Sequence, residues 1–189
     1  MPSSNAAEIT LEYLHECFEP DYEKGLLYWK ERPRHHFKTE QGWKRFNTQR
    51  ANRLAMSLNF YGYYVVNLRL KNLRKQVKVH RILYQMYHGR ILTSDVSVDH
   101  IDGNPKNNSI SNLRECDHTQ NQWNSKKRKD NTTGVKGLTL VKEGQKKYRA
   151  RICLEGKRYS KLFHTSEEAN KWLVSKRKEL HGEFANDGE

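Results

Sequence analysis

Alternation of apolar and polar residues is clearest between Asn59 and Leu70. There Tyr64, Val66, Leu68 and Leu70 fall on one face, and Tyr63, Val65, Asn67 and Arg69 on the other. A period of two marks a half-buried strand. Lys71-Asn72 then turns the chain back into Gln76-Val77-Lys78-Val79, which predicts a hairpin. Helical spacing occurs elsewhere. Thr10 to Phe18 aligns Leu11, Leu14 and Phe18, and His80 to His88 aligns Ile82, Leu83, Met86 and Tyr87 ahead of a capping Gly89. A third helix begins near Asp117, its N-cap candidate, with Asn121 in the second turn. A fourth opens at Ser166-Glu167-Glu168 and carries Ala169, Trp172, Leu173, Lys176 and Leu180 on one face.

Shorter strands fill the intervals. Leu26-Leu27-Tyr28-Trp29 follows the punctuation of Pro20, Asp21 and Gly25, and Val98 to Ile101 ends at a turn built from Asp102-Gly103 and Asn104-Pro105. Val135 to Val141, Lys147 to Glu155 and Lys157 to Phe163 read as three strands, with Gly144 and Gly156 in the two connections. The charged run Ser125 to Asp130 reads as a linker ahead of them. The pattern predicts an α+β chain of small modules. These are an N-terminal β-rich region (1–75), a central unit (76–128), and a C-terminal three-stranded sheet plus helix (131–186).

Composition narrows the partner. Lys+Arg number 35 against 22 Asp+Glu in 189 residues, a net charge of +13, and hydrophobic residues make up 35%. The pI is 9.7 and the mean hydropathy −1.03. That excess favours a polyanion, because each neutralised phosphate releases condensed counterions. No long apolar segment or lipidation motif points to a membrane, and Met1-Pro2-Ser3-Ser4-Asn5 lacks the form of a secretory signal. Cys17, Cys116 and Cys153 are odd in number and far apart. They read as reduced thiols in a cytoplasmic protein, so any metal must be held by oxygen and nitrogen. His35-His36 has no second ligand pair and reads as surface loop. From Lys30 to Ala55 the periodicity fades, and Arg32, Arg34, Lys38, Lys44, Arg45, Arg50 and Arg53 interleave with Phe37, Trp43 and Phe46. A DNA-touching loop and a solvated insertion fit that mixture equally.

The stretch from Asp99 to Asn112, with Asn121 beyond it, carries the candidate chemistry. His100 ionises near neutrality and suits a general base that takes a proton from water. Asp99 is a hard oxygen donor for a divalent cation. Asn112 lies where a returning strand would bring its amide oxygen to the imidazole, and Asn121 where a helix would bring a neutral metal ligand. Asp-Gly and Asn-Pro are also ordinary turn formers, so a purely structural turn fits the same residues. On that reading Asn104, Asn107 and Asn108 are turn residues, and His80 packs or caps its helix.

Val98-Asp99-His100-Ile101-Asp102-Gly103-Asn104, then Asn107-Asn108, then Ile110-Ser111-Asn112-Leu113-Arg114, then Asn121, resemble the HNH signature of phage-type homing endonucleases, with Val79-His80-Arg81-Ile82-Leu83 similar to the helix that precedes it. The resemblance implies a ββα-metal nuclease core. It makes His100 the general base, Asn112 its support, and Asp99 and Asn121 the ligands of one divalent ion, with Mg²⁺ expected and Mn²⁺ the alternative. Where some subfamilies end on a histidine ligand this chain has Asn121. His118, one turn earlier, is the competing candidate.

Thr133-Gly134-Val135-Lys136-Gly137, Tyr148-Arg149-Ala150-Arg151-Ile152, Gly156-Lys157-Arg158 and Phe163-His164-Thr165-Ser166-Glu167-Glu168-Ala169 resemble an AP2/ERF-type DNA-binding domain. Such a sheet lies in the major groove, which makes Lys136, Arg149, Arg151, Lys157, Arg158 and Lys161 the DNA-binding candidates. Leu138, Leu140 and Tyr159 stand where plant members carry tryptophan, so no base preference transfers. Gly25-Leu26-Leu27-Tyr28-Trp29-Lys30 is similar to the β-rich region found ahead of HNH units. The expectation is a metal-dependent endonuclease acting on double-stranded DNA, a monomer that nicks. A DNA-binding regulator with an inactive HNH unit is the alternative, and an RNA-directed protein a third.

Overall fold

The computed structural model describes residues 9–70, 73–141 and 147–188. The turn at Lys71-Asn72, the connection around Gly144 and the residues Met1 to Asn5 lie outside them. The chain divides into two compact units, Met1–Glu115 and Cys116–Glu189. This division cuts through the expected 76–128 module. Its first helix and its strands belong with the N-terminal region, and its last helix with the C-terminal sheet. Among the described residues no helix is long and apolar enough to cross a membrane.

In the first unit α1 (Leu11–Cys17) is capped by Thr10, whose hydroxyl accepts from Tyr13 N at 3.2 Å. It leads into the antiparallel hairpin of β1 (Phe18–Asp21) and β2 (Leu26–Trp29). After α2 (Glu40–Arg50), the strands β3 (Ser57–Leu58), β4 (Tyr64–Leu70) and β5 (Leu73–Lys78) form an antiparallel sheet in the order β3-β4-β5. Helix α3 (Val79–His88) ends at Gly89, whose φ of +63° suits a residue without Cβ. Strands β6 (Ser97–His100) and β7 (Leu113–Cys116) then pair.

Helix α3 explains why the unit is single. Its Ile82, Leu83 and Met86 join Leu14, Phe18, Leu27 and Leu68 in the main core, while Tyr84 joins Leu92, Val98 and Leu113 under β6 and β7. On β4, Val66 and Leu68 face the core as their alternation predicts, yet Val65 is buried too. The second face of that strand is therefore covered where it pairs with Ser57 and Lys78.

Helix α2 went unseen in the periodicity because its attachment is largely polar. The Arg32 carbonyl accepts from Trp43 Nε1 at 2.8 Å and from Asn47 Nδ2 at 3.0 Å, and Phe46 meets Trp29 edge to face. The Arg32 guanidinium is 5% exposed and lies 5.1–5.7 Å from the ring centres of Phe37, Phe46, Tyr13 and Trp29. It donates from Nη2 to Tyr13 Oη at 2.9 Å and from Nε to His36 Nδ1 at 3.2 Å. An accepting Nδ1 fixes the proton of a neutral His36 on Nε2, which donates to Glu16 at 2.7 Å. Burial and the Arg32 charge also hold His36 below its usual pKa, against the pull of Glu16. Glu16, His35 and His36 thus cluster within 4.8 Å, but a protonated Nε2 offers no lone pair to a metal.

In the second unit α4 (His118–Trp123) opens with a capping box between Asp117 and Gln120. Strands β8 (Leu138–Leu140), β9 (Tyr148–Leu154) and β10 (Lys157–Phe163) form an antiparallel sheet with β9 central. Helix α5 (Ser166–His181), capped by Thr165, lays Ala169 and Leu173 on Leu138 and Ala150. Gly137 has φ +80°, and a Cβ there would come within 2.7 Å of Arg151 O. Only glycine lets β8 start so close to β9, where Arg151 N donates to Gly137 O.

Replacing Arg32 by alanine removes a buried cation from four rings and two hydrogen bonds, so the unfolding free energy of the first unit, read by urea titration, should fall by about 3 kcal/mol. Burial pushes the Cys17 thiol up to about 11 from an ordinary 9.0. The unfolded chain releases this proton first. The group's contribution is therefore whole below about pH 9 and lost as pH climbs toward 11. Cys17→Ala should show a shallower alkaline fall in stability than the parent chain, and native-state labelling at pH 8 should modify exposed Cys153 but spare Cys17.

Candidate active site around His100

His100 ends β6 with Asp99 before it, and both are buried at 5% and 7% exposure. Strand geometry sends their side chains to opposite faces. The His100 ring sits 4.6 Å from that of His80 and 6.1 Å from that of Tyr63, with Lys78 Nζ 4.3 Å from the Tyr63 ring centre. Its Nε2 lies 2.9 Å from Asn108 Oδ1. Burial keeps its pKa below the usual histidine value, opposed by the Asn108 bond and by Asp102 and Asp99.

The loop between His100 and β7 is held by side chains. Asn112 Oδ1 accepts from Asp102 N at 3.1 Å, and Asn112 Nδ2 donates to Asp102 Oδ1 at 3.0 Å and to Asn107 O at 2.8 Å. Asn107 Nδ2 donates to Asp102 Oδ2 at 2.8 Å. Partial burial would raise the Asp102 carboxyl, but the donors from Asn107, Asn104 N and Asn112 hold it below its usual value. The expectation for Asn112 is thereby corrected. Its amide is committed to the loop, and the amide at the imidazole belongs to Asn108, which had read as a turn residue.

Asn108 is 1% exposed, and its placement has an external cause. Gly25, at the β1–β2 turn with φ +66°, lies so close that a Cβ would come within 2.3 Å of Asn108 C. Nearby, Ile110 N donates to Tyr22 O at 2.9 Å. The hairpin ahead of the candidate site is thus packed against the loop that aims Asn108.

Two buried polar atoms here, His80 Nδ1 and Asn108 Nδ2, have no hydrogen-bond partner. Unsatisfied buried groups are rare and costly, and they concentrate at functional sites. Arg114 from β7 places Nε and Nη2 each 3.2 Å from Asp99 Oδ2. Arg114 lies within the HNH-like stretch but is given no role there, because a cation after Asn112-Leu113 looks like any polar strand position.

Asn121 and His118 sit exposed on α4, in the second unit, where Gln122 Nε2 lies 2.8 Å from His118 Nε2. The six DNA-binding candidates separate by register. Arg149 and Arg151 alternate with buried Ala150 and Ile152, and Arg158 is opposite Cys153, so these three arginines share the face away from α5. Lys157 and Lys161 face the helix side of edge strand β10, above the rings of Tyr159 and Phe163. Lys136 is a correction. Its Nζ donates to the carbonyls of Trp123, Ser125 and Asn186, and burial with Arg177 nearby pulls it down to about 8. This lysine ties the second unit together and does not present its charge on the sheet.

Residues 77–123 match the family model of HNH endonucleases. Protein 3.8 of Escherichia phage T7 is 42% identical over 88 residues, covering 47% of this chain and 72% of that protein. An HNH endonuclease of Acanthamoeba polyphaga mimivirus is 34% identical over 111 residues, 58% of this chain and 56% of the relative. The chain thus spans about half the length of that relative. The solved HNH homing endonuclease I-HmuI, studied for DNA binding and cleavage, overlaps 92% of this chain and 90% of its own at 19% identity, with a TM-score of 0.41. That superposition is too loose to transfer detail. With its signature centred on the Asp99-His100 strand and the loop back to β7, the chain belongs to the HNH endonuclease family and is a nuclease.

Proposed function

We propose that the chain hydrolyses a phosphodiester of double-stranded DNA, with His100 as general base. The contact between His100 Nε2 and Asn108 Oδ1 carries this reading. An amide oxygen only accepts, so the imidazole proton resides on Nε2 and Nδ1 is the basic nitrogen. Asn108 therefore sets both tautomer and ring orientation. A neutral imidazole, held so by burial, is ready to take a proton from water that attacks phosphorus.

Asp99 and Asn121 would hold a divalent ion, Mg²⁺ first and Mn²⁺ second, since a carboxylate and an amide oxygen suit a hard cation. Such an ion supplies neutralisation of charge on the phosphorane and the departing 3′ oxygen. Arg114 keeps the Asp99 carboxylate oriented and partly neutralised when no ion is there. Water gives its proton to His100 as its oxygen bonds phosphorus, the P–O3′ bond breaks, and the departing 3′ oxygen takes a proton from solvent, which leaves a 5′-phosphate and a 3′-hydroxyl.

The C-terminal sheet supports an AP2/ERF-like role in choosing the DNA. Arg149, Arg151 and Arg158 share one outward face of a three-stranded sheet, a geometry that enters a major groove. As a monomer the chain would nick one strand. A regulator with an inactive nuclease unit is the second reading, but an intact base with its orienting amide in place argues against decay.

Purified protein with Mg²⁺ or Mn²⁺ should cut or nick duplex DNA from a shotgun library of phage or host sequence. His100→Ala should lower the rate by about 10²- to 10⁴-fold while duplex binding stays within a few fold. Asn108→Ala should reduce kcat roughly tenfold to a hundredfold at similar KM, and Asn112→Ala should instead loosen the loop and lower Tm. Undiminished cleavage by His100→Ala removes this assignment of the base.

Alanine at Arg149, Arg151 and Arg158 should weaken duplex binding and reduce the slope of log K against log salt by about 0.9 for each phosphate left without its cation. Lys136→Ala should act on thermal stability of the second unit ahead of affinity, as read by calorimetry beside filter binding.

A further inference from the structure

The tip of the β3–β4 hairpin holds two aromatic rings in water. Phe60 is 97% exposed and Tyr61 79%, and the two meet edge to face at 5.5 Å. The loop that carries them is firmly built. Asn59 N donates to Tyr63 O at 2.9 Å, and Gly62 N donates to Asn59 O at 3.1 Å. Asn59 Oδ1 accepts from Tyr61 N at 3.0 Å and from Tyr63 N at 2.9 Å. These four bonds, all made between Asn59 and Tyr63, fix the backbone, so the rings are presented on a preorganised arm. Water gives an apolar ring no reason to be there, and a polar residue would cap this turn equally well.

The position of the tip is as informative as its exposure. A side chain at Gly62 would come 3.9 Å from Pro105 Cγ, in the loop that follows His100. The next residue, Tyr63, stands 6.1 Å from the His100 ring and 5.7 Å from that of His80. Lys78 lies over Tyr63, and Lys106 is exposed on the facing loop. The loop that bears the bare rings therefore adjoins the loop that follows the candidate general base, and Lys78 and Lys106 belong to the same neighbourhood of the fold. A chain of net charge +13 meets a polyanion, and the polyanion with flat apolar faces between its charges is stacked nucleic acid.

We propose that Phe60 and Tyr61 form a wedge that enters duplex DNA beside the phosphate presented to His100, parting adjacent base pairs and stacking on the base it exposes. This rests on the nuclease reading above. Apolar side chains driven between base steps kink the duplex and widen the groove. Here that would bring the backbone within reach of a histidine that is itself buried. Phe60, the barer ring, leads, and Tyr61 backs it. Lys78 and Lys106 hold the flanking phosphates.

The test uses duplexes carrying a site mapped by the cleavage experiment, with 2-aminopurine on either side of the cut phosphate. Titrated with His100→Ala protein in Mg²⁺, one position should brighten at least about threefold as its base unstacks. Adding Phe60→Ser and Tyr61→Ser should abolish the rise and leave the salt slope of binding unchanged, since every cation is retained. In the active background the same pair should slow cleavage tenfold or more without moving Tm, and Phe60→Trp should retain both signals. Binding with no brightening, or full cleavage by the double serine variant, overturns the wedge and leaves the nuclease standing. Loss of self-association in place of any DNA effect assigns the tip to a second copy and overturns it too. A parent chain that neither binds nor cuts duplex DNA removes the nuclease reading, and the wedge falls with it.

Discussion

The pairing of Asp102 with Asn112 is the constraint on which the candidate site depends. The segment between β6 and β7 is polar, and with Ile110 against the small core as its main apolar anchor it relies on side-chain hydrogen bonds for its shape. Asn112 bonds Asp102 through both ends of its amide, and Asn107 closes the second carboxylate oxygen. Each such bond contributes about 1 kcal/mol net, but together they remove the freedom of a loop that would otherwise sample many shapes. Once the loop is fixed, Asn108 has one place to go. That place is against His100, where Gly25 and Tyr22 press the backbone from behind. Orientation of one imidazole thus runs through Asn107, Asn108, Asn112 and a hairpin far upstream in the chain.

The same arrangement shows what function costs the fold. Two imidazoles are buried edge to face, with His80 Nδ1 and Asn108 Nδ2 unsatisfied, and a carboxylate and a guanidinium are enclosed together at Asp99 and Arg114. A structural turn gains nothing from such groups, and each unsatisfied one costs about 1–3 kcal/mol. Two of the three such unpartnered atoms among the described residues adjoin His100, the third being His181 Nδ1 in the second unit, and beside the motif they support a chemical role there. The compensation lies elsewhere in the first unit, in the fully buried core of α1, β2, β4 and α3 and in the ring cage around Arg32.

Periodicity carried much of the fold because most elements are amphipathic on one face. Strand β2, the Asp117 cap and β10 are legible residue by residue, helix α3 and β9 to within a residue at their ends, and β8 is shorter than the expected Val135 to Val141 because the chain enters it through the tight approach at Gly137. Helix α2 is not, since its contact face works through Trp43 and Asn47 bonds to a backbone carbonyl, and these have no hydrophobic signature. Within the site, Asp99 and His100 stood out as a pair of reactive groups on one strand. Asn108 did not, because an asparagine in an Asn-rich turn gives no sign of pointing inward. What decides that is its distance from Gly25, a contact between residues far apart in sequence. Pattern reading sees neighbours along the chain, and this one is a neighbour only in the fold.

Charge shows the same limit from the other side. A net of +13 and a cluster of lysines and arginines identify the kind of partner but not the face that meets it. Lys136 spends its ammonium on three carbonyls of its own unit, and Arg177 is buried against Asp187 and the Lys136 carbonyl. Lys157 and Lys161 lie over rings on the helix side of β10. Strand register is what separates these from Arg149, Arg151 and Arg158, because a period of two assigns every residue of β9 and β10 to one face or the other. The inward face is fixed by Ala150 against Leu173 and Ala169, with Ile152 buried on the same side. The small apolar residues of the sheet, which never touch a partner, therefore determine which cations can.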